Sequence, residues 1–313
     1  MRNLFFSMLI TASVFTSCDK NDSSIQNDLP GSEEKQAVNL SVGINKSRTK
    51  LTRSVMNDFP EGSEIGIFAT TGALGDHYDG ETDNANVKAA YISGAWSCEP
   101  AIFLSNNKAK LFAYYPYNAA DNDGTAIPVE HTSQTDYLYG THPESTVNNG
   151  SPNVRLNMNH ALALLQFKLS KLNYTGAARL TKIEIANAAG KTVLYSKGTL
   201  DISTGAITNT SGENESAVIE NENLQTISET VPADENVFPK VMVLPVNITA
   251  GDDVEMRFTI DGKVYTSKVS ASTVWGKGTK NTYTVTIQGT GLTIGDVVIS
   301  DWTEGVNGSV SLQ

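Results

Sequence analysis

The chain is poor in cysteine, tryptophan and histidine, with two, three and four in 313 residues. Two cysteines cannot build a disulfide scaffold or a thiolate cage. His77, His131, His142 and His160 are dispersed and form no His-x-x-x-His or Cys/His array with zinc spacing. Cations are scarce too: 23 Lys/Arg against 34 Asp/Glu leave a net charge of −11. That balance argues against nucleic acid and against direct binding to anionic lipid headgroups. No apolar run reaches the ~20 residues that a membrane-spanning helix needs. A Gly-x-Ser-x-Gly elbow, a phosphate loop and a dinucleotide fingerprint are all missing. Asp121-Asn122-Asp123-Gly124 with Glu130 resembles part of a calcium loop, but Ala119 takes the first ligand position and Pro128 interrupts it. A solvated turn is expected there. Nothing in the pattern points to an enzyme, a metal or a cofactor.

What is present is concentrated at the N-terminus. Arg2, an apolar run from Leu4 to Val14 and the close Phe15-Thr16-Ser17-Cys18 read as a lipoprotein signal peptide, residues 1–18. Cys18 is the expected acylation site, so membrane lipid is one partner. Residues 19–35 are polar and contain Pro, Gly and Ser, the composition of a flexible tether. A short alternating strand follows over 37–45. Val38, Leu40, Val42 and Ile44 fall on one face, and polar or small residues on the other. Arg48 and Arg53 come directly after it in a Ser/Thr/Lys stretch. A strand placed before a protease-accessible basic loop can be removed. Losing residues 1–53, which hold seven Lys/Arg and five Asp/Glu, takes the net charge from −11 to −13. Arg53 is the favoured cut, with Arg48 as the second candidate.

The body reads as strands separated by turns. Glu64–Ala69, Lys110–Tyr115, Leu180–Ile185, Val254–Ile260 and Asn281–Ile287 are alternating or β-branched runs. Asp261-Gly262 joins two such runs at two-residue hairpin spacing. An antiparallel β-sandwich architecture is therefore expected, with a boundary near 157–165. Two units follow, an N-terminal sandwich over 36–160 and a C-terminal one over 161–313. Met158–Leu165 has helix-like composition but could equally start a strand. Residues 209–235 read as a long exposed loop with one weak strand at 224–227. Cys98, two residues from Trp96, reads as a small buried residue. Tyr114, Tyr115 and Tyr117 read as a strand end packed into the core, and Trp275 and Trp302 as corner packing.

An ordered set of short motifs then carries a family resemblance. It comprises the lipobox ending at Cys18, Glu64-Ile-Gly-Ile-Phe-Ala69, Ala113-Tyr-Tyr-Pro-Tyr117 and Met158-Asn-His-Ala-Leu162. Gly198-Thr-Leu-Asp-Ile202, Trp275-Gly-Lys-Gly278, Tyr283-Thr-Val-Thr-Ile287 and Ile299-Ser-Asp-Trp302 complete it. In this order, over nearly the whole chain, the sequence resembles the fimbrillin family of Bacteroides-type pilins. The resemblance implies two tandem transthyretin-like β-sandwich domains and an outer-membrane lipoprotein precursor. It also implies removal of the first strand by an arginine-specific protease and assembly with other fimbrial subunits by strand exchange. The destination would be an extracellular pilus on the cell surface.

A candidate donor strand lies at 305–313, where Val306, Val310 and Leu312 repeat the alternation with Gly308 in phase. Only eleven residues follow Trp302, which is short for reaching a neighbour. The alternative is a non-polymerising surface adhesin or pilus-tip subunit that binds a glycan or a host or bacterial surface ligand through loops such as 72–87 or 209–222. A lipid-anchored glycan-processing protein is a third class, disfavoured because no catalytic pair can be identified.

Overall fold

A computed structural model describes residues 34–45, 56, 58–142, 147–289 and 291–301. Cys18, Arg48, Arg53, Trp302 and the tail positions Val306, Gly308, Val310 and Leu312 lie outside the described residues. The first half forms β1 (Gln36–Ala37), β2 (Asn39–Ile44), β3 (Glu64–Thr70), β4 (Val87–Ile92) and β5 (Ala95–Glu99). It continues with β6 (Phe103–Leu104), β7 (Lys110–Tyr115), β8 (Ile127–Glu130), β9 (Leu138–Thr141) and β10 (Asn153–His160). The second half begins with β11 (Ala163–Leu172), β12 (Arg179–Asn187), β13 (Lys197–Asp201), β14 (Ala206–Asn209), β15 (Ala217–Thr226) and β16 (Lys240–Val243). It ends with β17 (Val246–Ile248), β18 (Val254–Ile260), β19 (Lys263–Lys268), β20 (Thr273–Trp275), β21 (Thr279–Gln288) and β22 (Gly291–Asp301). Helix is confined, among the described residues, to three single-turn 3-10 segments.

Seven strands of the first half form one sheet in the order β2-β10-β9-β7-β3-β4-β5. Its two end strands, β2 and β5, lie against each other, so the sheet wraps around its own core. Alternation builds that core: β10 turns Val154, Leu156, Met158 and His160 inward and leaves the residues between them at the surface or half-buried. Gly66 in β3 has a local reason. A Cβ there would run into the Tyr114 ring and Asn86. Tyr114 is fully buried, with its hydroxyl bonded to Asn86 Oδ1 at 2.9 Å and Asn118 O at 3.0 Å.

The second half is a sandwich of β16-β11-β21-β22 and β15-β12-β18-β19. Between the sheets lie Leu165, Phe167, Ile183, Met256, Phe258 and Val285. Phe167 meets Phe258 edge-on at 5.4 Å. Trp275 is fully buried and its indole N–H donates to the Tyr283 hydroxyl at 2.7 Å. Asp261 and Gly262 close the β18–β19 hairpin with φ of 50° and 77°, the positive pair that a primed two-residue turn needs.

Two sequence expectations differ in detail from the structure, and a third, left open between helix and strand, is resolved as strand. The β-sandwich class stands, but β2 on β10 and β11 on β21 pair in parallel, which alternation alone cannot distinguish from antiparallel pairing. Residues 217–226 form a full ten-residue strand, because Ile219 opposes Ile183 on β12 while Glu220, Asn221, Glu222 and Asn223 remain exposed. The 158–165 stretch is the end of β10 and the start of β11, with no helix.

The halves are stitched together by a third sheet, β14-β13-β8, in which β8 of the first half pairs with β13 of the second. Next to it, the Gln134 side chain bonds both the N–H and the C=O of Met242 on β16, at 2.7 and 2.9 Å. His131 is fully buried at this junction. Its Nε2–H faces Glu215 O at 2.9 Å and its Nδ1 accepts from Leu244 N–H at 3.5 Å. Burial holds the imidazole below its ordinary value, against the raising effect of the Glu215 carbonyl and of Glu130 and Glu215. The neutral form is the one the fold prefers, so this contribution is complete above the unfolded value of ~6.5 and is lost as pH falls below it. Urea melts should therefore show stability declining from about pH 7 to pH 5, and His131→Gln should flatten that part of the profile.

Candidate functional site

The 34–45 segment is fastened to two sheets in succession. Gln36 and Ala37 pair antiparallel with Leu104 and Phe103, and Val38 N–H donates to Ile102 O at 2.9 Å. The chain then crosses to the edge of the seven-stranded sheet, where β2 runs parallel to β10 from Asn39 opposite Asn153 to Ile44 opposite Met158. Asn39 N–H to Pro152 O at 2.9 Å and Asn45 N–H to Met158 O at 2.8 Å close the two ends. Side-chain contacts are fewer: Asn39 Nδ2 donates to Asn153 Oδ1 at 2.9 Å, and Ser41 Oγ to Val154 O at 3.3 Å.

Burial follows the alternation. Leu40 and Ile44 are buried at 8% and 5% exposure, and Val38 and Val42 are half-buried against the same core. Ser41 and Asn39 face outward. Fully burying one such aliphatic side chain is worth about 1.5–3 kcal/mol, so the segment is held firmly, yet only by an edge ladder and a few knobs. Taking it away would uncover the backbone edge of β10 along six residues, a template for another strand.

Beneath and beside β2 lies β5, which carries Trp96 and Cys98. Both pack on the same core as Val38 and Val42. Burial pushes the Cys98 thiol up to about 11, so it is an unreactive packing group while the segment is in place. Tyr115 is raised by burial and, secondarily, by the Asp136 carboxylate. Asp136 itself accepts the Met56 N–H at 2.8 Å and faces His160 Nδ1 at 2.9 Å.

The structure thus brings Val38, Leu40, Val42 and Ile44 together at one sheet edge. It also shows residues that sequence reasoning passed over. Asp136 has no local motif, since its partner His160 is 24 positions away. The available signal was His160 falling in the inward phase of β10, where a polar ring needs a partner. His77, His131 and His142 are separate from one another in sequence, and no three or more His, Cys, Asp or Glu among the described residues are arranged to hold a metal ion. Tyr114 belongs to the core, while Tyr115 and Tyr117 are half-buried.

Truncating the two faces of β2 should have unequal effects. Ile44→Ala is expected to lower unfolding stability by about 2 kcal/mol, whereas Ser41→Ala stays within about 0.5 kcal/mol. Equilibrium denaturation of the full chain checks both values.

The fimbrillin-like family model matches residues 52–302. No curated protein matches the chain. A solved structure of a candidate cell adhesion protein from Bacteroides uniformis is similar, with TM-score 0.63 and 21% identity, covering 86% of this chain and 99% of its own. Another, from Bacteroides ovatus, gives TM-score 0.61 and 17% identity over 86% and 98%. At such identities the likeness shows a shared fold. The family match, which spans roughly four-fifths of the sequence, shows more: this chain belongs to the fimbrillin-like family, whose members are structural proteins and not enzymes.

Proposed function

We propose that the chain is a structural pilus subunit, exported as a lipoprotein through Cys18, trimmed by an arginine-specific protease and polymerised by strand exchange. The observation that supports this reading is the pairing of β2 with β10: an edge strand, buried on one face by Leu40 and Ile44, followed within nine residues by Arg48 and Arg53.

Tethering explains why a cut would matter. While β2 belongs to the same chain, the slot sees it at an effective concentration on the order of millimolar, set by the short connection. After cleavage at Arg53, or at Arg48, the strand escapes into bulk and that advantage goes. A neighbouring subunit's strand can then add to the β10 edge, supplying backbone bonds along the ladder and side chains for the vacated pockets. The tail candidate Val306, Gly308, Val310 and Leu312 repeats the spacing of Val38, Leu40, Val42 and Ile44, with Gly308 leaving one pocket unfilled.

In this reading residues 36–160 and 161–313 are two sandwich domains, the first accepting a strand and the second donating one. Pairing of β8 with β13, with Gln134 clamped onto β16, makes them a stiff unit suited to a fibre. The tail follows β22, itself an edge strand with Val297, Val298 and Ile299 exposed.

A second reading, a non-polymerising tip adhesin, draws on a cleft of about 390 Å³ at the domain junction. Asp121, Glu130, Tyr137 and Lys197 line it together with Pro116 and Pro128. Such a mix of carboxylates, a cation and an aromatic ring suits a sugar.

Mixing purified, trypsin-trimmed protein should give ladders that survive SDS without heating. Trimmed protein that stays monomeric contradicts the stalk role and favours the tip role. The Arg48→Ala, Arg53→Ala double variant should remain untrimmed in cells and form no fibres. Normal fibres from it would show that neither arginine matters. Removing the segment should also unmask Cys98: its labelling at pH 8 is expected to quicken by at least roughly tenfold after trimming.

A further inference from the structure

The first-half core encloses a histidine–aspartate pair. His160 Nδ1 and Asp136 Oδ1 are 2.9 Å apart, and both side chains are 1% exposed. The second carboxylate oxygen, Asp136 Oδ2, accepts the backbone N–H of Met56 at 2.8 Å. Around this bond two side chains are packed inward: Met56 lies on the core, and Phe59 meets Trp96 and Tyr115 edge-on at 5.0 and 5.8 Å.

The position of this contact matters as much as its burial. Asn45, the last described residue of the leading segment, is bonded to Met158 O and to the Asn159 side chain. Met56 is bonded to Asp136, which faces His160. The described residues on either side of positions 46–55, Asn45 and Met56, are thus both held at the Met158–His160 end of β10. Those ten positions include both candidate cleavage arginines.

We propose that Asp136, oriented by His160, is the anchor that keeps the chain downstream of the cut seated in the core when β1–β2 leave. The inference rests on the trimming reading above and adds a positioning residue to it. The two flanks of the cut are held by interactions of different kinds. Upstream, β2 sits at a sheet edge with an open outer side, and its ladder can be replaced by another strand. Downstream, a backbone N–H is held by a carboxylate in a water-poor core, and such charge-assisted bonds are short and strong. Releasing that N–H would leave a buried carboxylate short of a donor, which is costly. Cleavage therefore frees one side only. Without the anchor, the 56–63 stretch could peel away or slide into the vacated slot and block the incoming strand.

Hydrogen exchange of the Met56 amide and of the Gly62 amide, which donates to Tyr91 O at 2.9 Å, followed by NMR before and after trypsin trimming, tests this. Trypsin supplies the cut, so no native protease or partner subunit is required. In the wild-type chain the expected result is slow exchange at both amides before and after trimming. Asp136→Ala should raise exchange there at least tenfold, and most visibly after the cut. If that variant does not fold, a backbone pair decides: Met56→Pro removes the donor, and Met56→Ala keeps it while removing the same side chain. The anchor predicts fast Gly62 exchange in Met56→Pro and slow exchange in Met56→Ala. Equal protection in those two variants, or loss of protection in the trimmed wild type, overturns the proposal. Trimmed wild type that keeps its protection yet never accepts a strand would support the anchor and count against strand exchange.

Discussion

The edge of β10 is the constraint on which the rest depends. A sheet edge buried on one face cannot be left bare: its backbone groups need partners and its inward side chains need a lid. In this chain both needs are met by six residues of β2 in parallel register. Parallel pairing obliges the two strands to be joined by a long excursion rather than a hairpin, and here the whole first half lies between them. The strand that completes the sheet is therefore also the one nearest the N-terminus, and removing it need not break any other strand of the sheet.

The same segment does a second job through β1, which pairs with β6 before the chain crosses to β10. One short stretch therefore closes two sheets, and its cohesion is spread over backbone ladders and a few aliphatic knobs. No buried charge or disulfide fixes it among the described residues. That is the character our reading requires of a part that is exchanged. The chain just downstream differs, with Asp136, His160, Phe59 and Trp96 making a tight aromatic and charge-assisted cluster. In sequence, residues 46–55 separate what our reading lets go from what it keeps.

Much of this was readable from local pattern. Val38, Leu40, Val42 and Ile44 advertise a one-sided strand, and Asp261-Gly262 a primed hairpin, because both depend only on neighbours in sequence. Pairing direction was not legible, since alternation is the same for parallel and antiparallel neighbours. Residues 217–226 were hidden because Glu220–Asn223 looks like loop while its hydrophobic support, Ile183, lies 36 residues earlier than Ile219. Asp136 was invisible for a related reason: its role exists only once β10 has placed His160 in the core. Contacts built across sequence distance are settled by tertiary packing, and they are where pattern reading runs out.

The most direct test of the account is the N-terminal residue of the protein recovered from cell-surface fibres. The account predicts that it starts at Ser54, or at Thr49 if Arg48 is the cut, with β1 and β2 gone. Surface protein that still starts at an acylated Cys18 and retains Leu40 and Ile44 would contradict it.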